Sequence, residues 1–474
     1  MMLPCFSKLI PLPAVVALLI GFVASNSTAQ QDIDAQIPGI ADLPDVTDEL
    51  QAQIENGGGS LELEDRVYRI TRALEINLVK HGSASVRTRG GSATLIMDGA
   101  GPAIRLTGSH EGSADPKSFK PATWNERMPI VEGIVILGHH PEAVGVELVQ
   151  CVQPIVSRVS VRGCLHGIHL TTRNRNVTIS DCHLYENEGV GIYLDDLSLH
   201  QINISNCHIS YNRAGGIVVR DGNVRNLQVT GCDIEANMPH DTETPTTAAN
   251  ILIDVAGSPD DKAKSVAEIA ITGCTIQHSA NYGAAEDKTV APGGANIRLA
   301  GKEIWPIDSV TISGNVISDT TTNIAIDHSM DVTLCGNTFF APKPDHLIVT
   351  NSQRIVVTGN SFNPRQFERP GALRFTNCSD CLITGSSIHA ARSTDGAVIL
   401  DNCEGFVING LNLNDCARGL VLKNSRDTLI SNCRVARTDE TAADIEVDAA
   451  SRDIALSANR FSGTQSVATE ALAK

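Results

Sequence analysis

Aromatic side chains are scarce in this sequence. They make up 4% of its 474 residues, with only two tryptophans and five tyrosines. Helical bundles and β-sandwiches usually fill their cores with more aromatic groups, whereas a solenoid with a narrow interior stacks small aliphatic side chains on one another. The scarcity therefore disfavours bundles and sandwiches and is compatible with a repeat protein.

Positive charge is also in short supply. The chain has 37 Lys and Arg residues against 54 Asp and Glu residues, which gives a net charge of −17. A nucleic-acid partner needs a basic face to neutralise phosphates, so we expect no such partner. The same charge keeps an exported protein soluble, and it disfavours a polyanionic substrate unless a cation or a local arginine cluster intervenes.

Long apolar runs are absent beyond the N-terminal region, so we expect no membrane span in the mature chain. One shorter run occupies residues 9–23, after Lys8 and before the small residues Ser27 and Ala29. This order is typical of a secretory signal, here predicted to be cleaved after Ala29. The alternative is an anchored helix, but the run is shorter than the roughly 20 residues that a span needs. We therefore expect an exported protein, located in the periplasm, at the cell surface or outside the cell.

A short phrase recurs along the chain: an alternating strand, a small polar pair and then a residue that is mostly Cys or Asn. Two examples are Val177-Thr-Ile-Ser-Asp-Cys182 and Val310-Thr-Ile-Ser-Gly-Asn315. The phrases end at Cys182, Cys207, Cys232, Cys274, Asn315, Asn337, Asn360, Ser386, Leu411, Cys433 and Asn459. Successive ends are 22–26 residues apart, except for two steps of 42 and 41 residues. A period in this range is typical of a repeat architecture.

A second strand of the form Gly-Ile-x-Leu or Asn-Ile-x-Ile precedes most phrases, as at Ile168 and Ile251. Three short strands per coil predict an all-β fold, a right-handed parallel β-helix. Leucine-rich repeats would need an L-x-x-L-x-L pattern and helices, and neither is present. A short helix from Thr47 to Ile54, ended by Gly57, is expected to cover the first coil. We predict a signal at 1–29, a capping segment at 30–58 and the β-helix at 59–474.

The cysteines fall into columns of the repeat. Five of them share the column that Asn315 occupies, and Cys151, Cys378 and Cys403 form another. Stacked Asn side chains can bond along such a column, and Cys can replace them as a small buried hydrophobe. We therefore expect buried, unreactive thiols. Disulfides between neighbouring coils and a metal site are the alternatives.

The start of the predicted β-helix resembles a known superfamily. A short helix from Leu50, a Gly-rich turn at Gly57 and the strand Val67-Tyr-Arg-Ile resemble the opening of pectate-lyase and polygalacturonase-like proteins. With the coils, the resemblance covers nearly the whole mature chain and is greatest to exported bacterial β-helix proteins of no assigned activity. It implies a specific fold but not a specific activity, because one fold serves many functions. Members act on polysaccharides as lyases, hydrolases or epimerases, or bind them.

The signature residues of polygalacturonases are largely missing. That family carries an Asn-Thr-Asp run, an Asp-Asp pair, a Gly-His-Gly and an Arg-Ile-Lys. Only Asp195-Asp196 fits here, whereas His169 and Arg298 lie in other contexts. The resemblance therefore does not extend to ordinary pectin hydrolysis.

Outward side chains of the first strand in each coil follow from the alternation of a strand. The residue after Leu or Ile gives the column Thr171, Asp195, Arg220, Asp254, Ala300 and Asp327. We predict Asp195, Arg220 and Asp254 as the catalytic group. In a hydrolase the two carboxylates, about two rungs apart, would flank a water. In a lyase Arg220 would act beside a uronate while the Asp residues hold a cation such as Ca²⁺. The alternative is a solvated ladder of ion pairs.

Insertions lengthen the loops beside this column, at residues 236–249, 256–267 and 278–295. Long loops on adjacent coils usually carry function, so we expect them to form the walls of a substrate groove. The predicted substrate-binding residues are His169, Tyr193, Glu235, Arg298 and Asp327. Two functions stay open: a protein that cleaves an extracellular polysaccharide, and a non-catalytic glycan-binding or structural solenoid.

Overall fold

The computed structural model describes residues 33–112, 117, 119–241, 243–260, 264–279, 290–365, 369–437 and 442–473. The predicted signal, residues 1–29, lies outside the described residues. None of the described helices is long and apolar enough to cross a membrane.

The chain forms three parallel sheets that run the length of a right-handed β-helix, as predicted. Sheet 1 contains Leu74–Asn77, Gly101–Thr107, Ala143–Val149, the first half of His166–Ser180, the first half of Val190–Ser205, Gly215–Arg220, Ala249–Asp254, Ala295–Ala300, Thr322–Asp327, Asp345–Thr350, Leu373–Thr376, Val398–Asp401, Leu420–Lys423, Ala443–Val447 and Thr464–Val467. Sheet 2 contains Leu61–Leu63, Ser85–Thr88, Ile130–Glu132, Ile155–Ser157, the second halves of the two long strands, Asn223–Thr230, Ala267–Thr272, Ile307–Ser313, Ser329–Cys335, Gln353–Thr358, Leu382–Thr384, Glu404–Asn409, Arg426–Ser431 and Arg452–Ser457. Sheet 3 contains Val67–Ile70, Ala93–Met97, Ile134–Gly138, Ser160–Arg162, His183–Tyr185, His208–Ser210, Asp233–Glu235, Thr275–Gln277, Val316–Ser318, Thr338–Phe340, Ser361–Asn363, Ser387–His389, Asn412–Cys416, Arg434–Arg437 and Arg460–Phe461.

Helical segments are few among the described residues. Besides the helical residues 33–36, they are α1 (Thr47–Asn56), α2 (Leu78–His81) and the 3₁₀ turns Ile40–Asp42, Pro121–Glu126 and Thr469–Ala471.

Inward side chains of equivalent strands stack on one another and form the core. In sheet 1 Ile168, Ile192, Ile217, Ile251 and Ile297 pair in register, and all five are fully buried. Branched aliphatic side chains suit this arrangement, because each fills the space above its copy in the previous coil. The core therefore needs little aromatic filling.

The small polar pair of the repeated phrase forms the corner between sheets 2 and 3. The second member of the pair has a positive φ, as at Asp181 (55°), Asn206 (54°) and Gly231 (63°). Gly, Asn and Asp tolerate this left-handed conformation better than other residues. The corner thus explains why the phrase uses these residue types.

The next residue points inward and forms the predicted column. The Asn315 side chain donates to Asn337 Oδ1 (3.0 Å), and the Asn337 side chain donates to Asn360 Oδ1 (3.0 Å). Each amide also donates to a strand carbonyl, as from Asn337 to Ile312 (2.9 Å). The described cysteines are all free, and every one except Cys335 is buried. The interpretation as packing residues is confirmed for these buried thiols.

A second buried ladder lies at the corner between sheets 3 and 1, and the sequence analysis missed it. Its members are buried amides linked by side-chain hydrogen bonds of 2.7–3.0 Å: Asn187, Asn212, Asn237, Asn250, Asn296 and Asn323. His346 ends the ladder, since its Nδ1 lies 3.1 Å from Asn323 Nδ2. Burial lowers the pKa of His346 to about 3, so the ring is neutral there.

Both ends of the solenoid are covered. Helix α1 buries Leu50 and Ile54 against the first coil, which confirms the predicted cap. The Gln51 side chain of this helix makes the two backbone hydrogen bonds that a neighbouring strand would make. It accepts from Glu75 N (2.9 Å) and donates to Glu75 O (3.0 Å). At the other end the turn Thr469–Ala471 buries Ala471 in the core, a cap that the sequence did not reveal.

Candidate functional site: a cleft on the outer face of sheet 1

The outward columns of sheet 1 have the register expected from the sequence. Thr171 pairs with Asp195, Asp195 with Arg220, and Arg220 with Asp254. The column continues through Ala300 to Asp327. The neighbouring column carries His169, Tyr193, Val218, Leu252, Arg298 and Ala325.

The first rungs carry charges of alternating sign. Arg105 Nη1 lies 2.8 Å from Glu75, and Arg105 Nε also contacts Glu147. His169 stands between two carboxylates, 3.5 Å from Glu147 and 3.4 Å from Asp195. This part of the row is a continuous ladder of ion pairs with no open space between the partners.

The predicted trio extends that ladder. Arg220 Nη1 donates to Asp254 Oδ2 at 3.0 Å, and Arg220 occupies the rung between Asp195 and Asp254. Burial, the charge of Asp195 and a hydrogen bond to it raise the pKa of Tyr193 to about 12, which keeps this phenol protonated. Arg220 thus occupies the rung where the predicted hydrolase geometry needs a water, and the catalytic role of the trio stays a prediction.

Apolar side chains on the outer face of sheet 1 are covered next to the trio. Val190, Val218, Ala249, Leu252 and Ala295 form a separate buried cluster outside the solenoid core. Outward residues of a solenoid normally face solvent, so this burial marks the place where inserted loops lie over the sheet.

A cleft of about 550 Å³ begins at Asp254, the last residue of the trio, and extends over the following coils. Its floor contains the small side chains Ala300 and Ala325, and Asp254 and Asp327 stand at its sides. All three insertions contribute to the walls. The wall residues from these loops are Thr247, Ala256, Gly257 and Gly293.

Asp254 and Asp327 are separated by one alanine rung. Strand pairing aligns Asp254 with Ala300 and Ala300 with Asp327, so the two Cα positions lie two rungs, or about 9.6 Å, apart. Inverting glycosidases place their carboxyl groups about 6.5–9.5 Å apart. Here the intervening side chain is a methyl group rather than a guanidinium, which leaves room for a ligand.

The Asp327 carboxylate is held by three donors. Thr350 Oγ1 donates to it at 2.6 Å and Asn351 Nδ2 at 2.9 Å, and His328 Nδ1 lies at 2.9 Å. Burial alone would raise the pKa of Asp327, but these hydrogen bonds outweigh it and lower the pKa. Asp327 is thus an ionised group suited to act as a base or to bind a cation.

Arg298 lies between the two carboxylates on the neighbouring column. Burial lowers its pKa, an effect that the charge of Asp254 opposes. The guanidinium donates to the carbonyl of Gly293, while its Nε has no hydrogen-bond partner among the described residues. A buried donor without a partner is costly, so this atom is available to a ligand in the cleft.

Glu235 does not belong to this row. It ends a strand of sheet 3, and its carboxylate lies 3.8 Å from His278. The expectation that Glu235 reaches the groove rested on its position before an insertion, which does not specify the sheet. His169 and Tyr193, by contrast, lie at the start of the row and stack with ring centroids 5.3 Å apart.

The cleft pair was not recognised from the sequence as a pair. Asp254 and Asp327 were both predicted site residues, but in different roles. The pair Asp254 and Asp327 differs from the pair Asp195 and Asp254 in the size of the side chain between its members. That side chain is Ala300 in the first pair and Arg220 in the second.

A C-x-x-C pair, Cys378 and Cys381, was also passed over. Both thiols are buried, and the hydrogen bond to the neighbouring Cys403 raises the pKa of Cys378.

Two family descriptions match parts of the chain. A right-handed β-helix region matches residues 132–258, and a periplasmic copper-binding protein (NosD) matches residues 268–472. Together with the three parallel sheets, these matches decide the fold family. The chain is a right-handed parallel β-helix protein. Among curated proteins, none matches its sequence.

Several solved β-helix structures are similar to this protein at low identity. The mannuronan C-5 epimerase AlgE6 A-module of Azotobacter vinelandii is 13% identical over 84% of this chain and 99% of its own, with a TM-score of 0.46. Tailspike protein 3 of bacteriophage CBA120 is 14% identical over 88% of this chain and 62% of its own, with a TM-score of 0.49. An alginate lyase from Paenibacillus sp. str. FPU-7 is 12% identical over 69% of this chain and 95% of its own, with a TM-score of 0.36.

The copper named in one family description can be tested against the side chains. Among the residues that the structure describes, no group of three or more His, Cys, Asp or Glu side chains is arranged to hold a metal ion. His346 is committed to the amide ladder, and His328 is paired with Asp327. The described residues therefore do not fit a copper site, and no chemistry is derived from copper.

Proposed function

We propose that this β-helix protein binds a polysaccharide along sheet 1 and cleaves it in the cleft between Asp254 and Asp327. One observation carries the proposal: two carboxylates line the same cleft two rungs apart, with an alanine rung between them and the Arg298 guanidinium on the neighbouring column. The cleft is wide enough for a sugar ring, and long inserted loops wall it. Together these features supply acidic groups, a cation and shelter from solvent.

The residues take different roles in this proposal. Asp327, held ionised by its three donors, is the candidate base that activates water or removes a proton. Arg298 would pair with an acidic group or a hydroxyl of the sugar through its free Nε. Asp254 is the opposing carboxyl group, and its Oδ2 already accepts from Arg220 (3.0 Å).

A second candidate function is glycan binding without cleavage. It is favoured by the number of hydrogen bonds that the carboxylates already make, since three donors hold Asp327 and a guanidinium holds Asp254. Carboxylates whose oxygens already accept such hydrogen bonds form a static row. A catalytic acid, by contrast, usually has a raised pKa, whereas the pKa of Asp327 is lowered. The two functions differ in one measurable result, which is the appearance of a product.

The test is a screen of the purified protein on extracellular polysaccharides, read by new reducing ends and by unsaturated-uronate absorbance. Hydrolysis produces only the first signal, and β-elimination produces both. On a responsive glycan we expect Asp254→Asn and Asp327→Asn each to reduce turnover at least 100-fold, because each removes an ionisable group from the cleft.

The matched control is Asp401→Asn. Asp401 points outward in the same column of sheet 1, three rungs beyond Asp327 and outside the cleft. It should retain full activity. Equal loss in all three variants, or full activity of both cleft variants, would contradict the assignment. Binding without any product from every glycan would instead support the non-catalytic function.

We also propose that the chain is exported. The order of Lys8, an apolar run over residues 9–23 and small residues at Ser27 and Ala29 supports this proposal. One of the matching families is described as periplasmic, which agrees with it.

A further inference from the structure

Positive charge and aromatic rings, both scarce in the chain, meet at one corner of the solenoid. Residues 108–112 and 119–129, which lie between Thr107 of sheet 1 and Ile130 of sheet 2, contact the following coils at the corner between these sheets. They include one of the two tryptophans, Trp124, and the following coils supply Arg173 and Arg175. We define the corner patch as these described residues: His110, Phe119, Trp124, Arg173, Arg175 and His200.

Three rings of the patch are stacked in parallel. His110 and Phe119 have centroids 4.7 Å apart at 15°, and Phe119 and Trp124 have centroids 4.7 Å apart at 18°. His110 and Phe119 are buried, whereas Trp124 is 37% exposed. The stack thus holds an indole ring rigidly at the surface, as a platform on which the apolar face of a sugar can rest.

Guanidinium groups surround this platform. The Arg175 guanidinium lies over the Phe119 ring, 4.8 Å from its centroid. Arg173 donates to Ser198 Oγ (2.8 Å), but its Nε is buried without a hydrogen-bond partner among the described residues. No described carboxylate lies within ion-pair distance of Arg173. The acids nearby are already engaged: Glu126 accepts from Ser109 N (2.7 Å) and Oγ (2.6 Å) within the loop.

The histidines report the local potential. Burial, together with the charges of Arg173 and Arg175, lowers the pKa of His110 to about 4. Burial and the charges of Arg225, Arg173 and Arg175 lower the pKa of His200, although Glu268 opposes this. Arg225 itself is paired with Glu268 at 2.8 Å. Arg173 and Arg175 thus bring positive charge to this corner of a protein whose net charge is −17.

A depression of about 260 Å³ continues the patch onto sheet 2. Arg175 Nε donates to Asn176 Oδ1 (2.9 Å), and Asn176 Nδ2 donates to Gln201 Oε1 (2.6 Å). These amides line the depression together with Ile155 and the half-exposed Met128. Amides beside an apolar floor match the hydroxyls and ring face of a saccharide.

From this arrangement we infer that the corner patch is a second saccharide site, separate from the cleft, which binds a glycan bearing carboxylate or sulfate groups. The exposed Trp124 ring stacks on the sugar, and Arg173 and Arg175 pair with its oxyanions. Anchoring an acidic chain at this corner would offset the repulsion expected from the negative protein.

The experiment is affinity electrophoresis of the full chain in native gels that contain alginate, dextran sulfate or uncharged dextran. We expect retardation by the two anionic polymers and none by dextran. Arg173→Gln/Arg175→Gln and Trp124→Ala should each weaken the apparent affinity at least tenfold. Trp124→Phe should retain most of it, because a ring remains.

The control with the same net charge is Arg89→Gln/Arg158→Gln. Both arginines lie at the corners between sheets 2 and 3, with side chains 73% and 64% exposed, and both stand outside the patch. This variant should bind as the unaltered protein does. Thermal unfolding of each variant checks that the fold is intact.

Three outcomes with the unaltered protein and the charge control would overturn the inference. They are the absence of retardation by both anionic polymers, equal retardation by uncharged dextran, and equal weakening in the Arg89/Arg158 control. Arg298→Gln distinguishes the two sites. Loss of retardation in Arg298→Gln, with full retardation in the corner variants, would place the binding in the cleft and contradict the corner site.

Discussion

Between Asp195 and Asp254 the outward column carries Arg220, and between Asp254 and Asp327 it carries Ala300. Both pairs of carboxyl groups are two rungs apart, so spacing alone does not distinguish them. A guanidinium fills the first gap with an ion pair, while a methyl group leaves the second gap open. At the scale of single residues, the size of one side chain therefore decides where a ligand can enter.

The column of buried Cys and Asn side chains at the corner between sheets 2 and 3 leads to a prediction at the same scale. Asn337 donates to Ile312 O (2.9 Å) and to Asn360 Oδ1 (3.0 Å), and it accepts from the backbone and side chain of Asn315. Asn337→Ala leaves these buried groups without partners, each costing about 1–3 kcal/mol. We expect a loss of about 2–5 kcal/mol in the free energy of unfolding, measured by urea denaturation.

The matched control for that prediction is Asn412→Ala. Asn412 is exposed on sheet 3, and its side chain accepts a hydrogen bond from Arg434 Nη1 (3.2 Å). It should change the free energy by less than about 0.5 kcal/mol. Equal effects of the two substitutions would show that the hydrogen bonds of this column do not stabilise the coils.

At the scale of elements, the three insertions act together although they start from different corners of the coils. They leave the solenoid at opposite edges of sheet 1, at the 3–1 and 1–2 corners, and their residues meet around the cleft as Thr247, Ala256 and Gly293. The loop before Ile130 likewise supplies residues to a site, since Phe119 and Trp124 belong to the corner patch. Each ligand site proposed above thus combines a rigid row of strands with a loop that folds back over it.

The N-terminal segment is an element whose attachment we expect to depend on pH. Its Ile33 and Ile40 pack on Ile96 and Leu137 of sheet 3. His139 joins the segment to the solenoid, with Nε2 2.9 Å from Asp34 and Nδ1 2.8 Å from Asp98. Burial disfavours the charged imidazole, but the hydrogen bonds to Asp98 and Asp34 outweigh it and raise the pKa of His139.

The sign of the effect follows from that shift. A raised pKa means that the contribution of His139 is fully present below its unfolded value of about 6.5 and is lost as pH rises through the folded value. Arg69 also contacts Asp98, at 2.7 Å. We expect the hydrogen-exchange protection factors of residues 33–43 to fall as the pH rises above about 6.5.

Two substitutions check this prediction. His139→Gln should lower the protection at acidic pH and remove most of its pH dependence. His140→Gln changes a neighbouring histidine that only accepts from Glu142 N (3.1 Å), so the profile should not change. An unaltered profile in His139→Gln would show that another group controls the segment.

At the scale of the whole molecule, charge is distributed unevenly. The chain is acidic overall, yet each proposed site contains an arginine whose Nε is buried without a hydrogen-bond partner among the described residues, Arg298 in the cleft and Arg173 in the corner patch. An acidic surface keeps an exported solenoid soluble, and covered ends prevent end-to-end pairing of its strands. Helix α1 and the turn Thr469–Ala471 supply these covers.

Export is the prediction that belongs to this scale. We expect the full chain, expressed with a C-terminal tag in a Gram-negative host, to be found outside the cytoplasm and to be shortened by about 29 residues. Replacing the apolar residues Leu18 and Leu19 by Arg should keep it in the cytoplasm at full length. N-terminal sequencing and cell fractionation give the answer, and an uncleaved, membrane-bound product would favour the anchored-helix alternative.

Sequence alone was sufficient for the properties that repeat from coil to coil. The period, the inward and outward columns, the Cys and Asn positions and helix α1 all follow from local alternation and from corner residues with positive φ. Only the tertiary structure decided what depends on contacts between distant segments. Arg220 fills one gap while Ala300 leaves another open, Glu235 lies on sheet 3, Trp124 stacks beside Arg175, and His346 ends a ladder of amides. Such contacts are made by loops and side chains whose meeting has no period in the sequence, because it depends on how each insertion folds back over the coils.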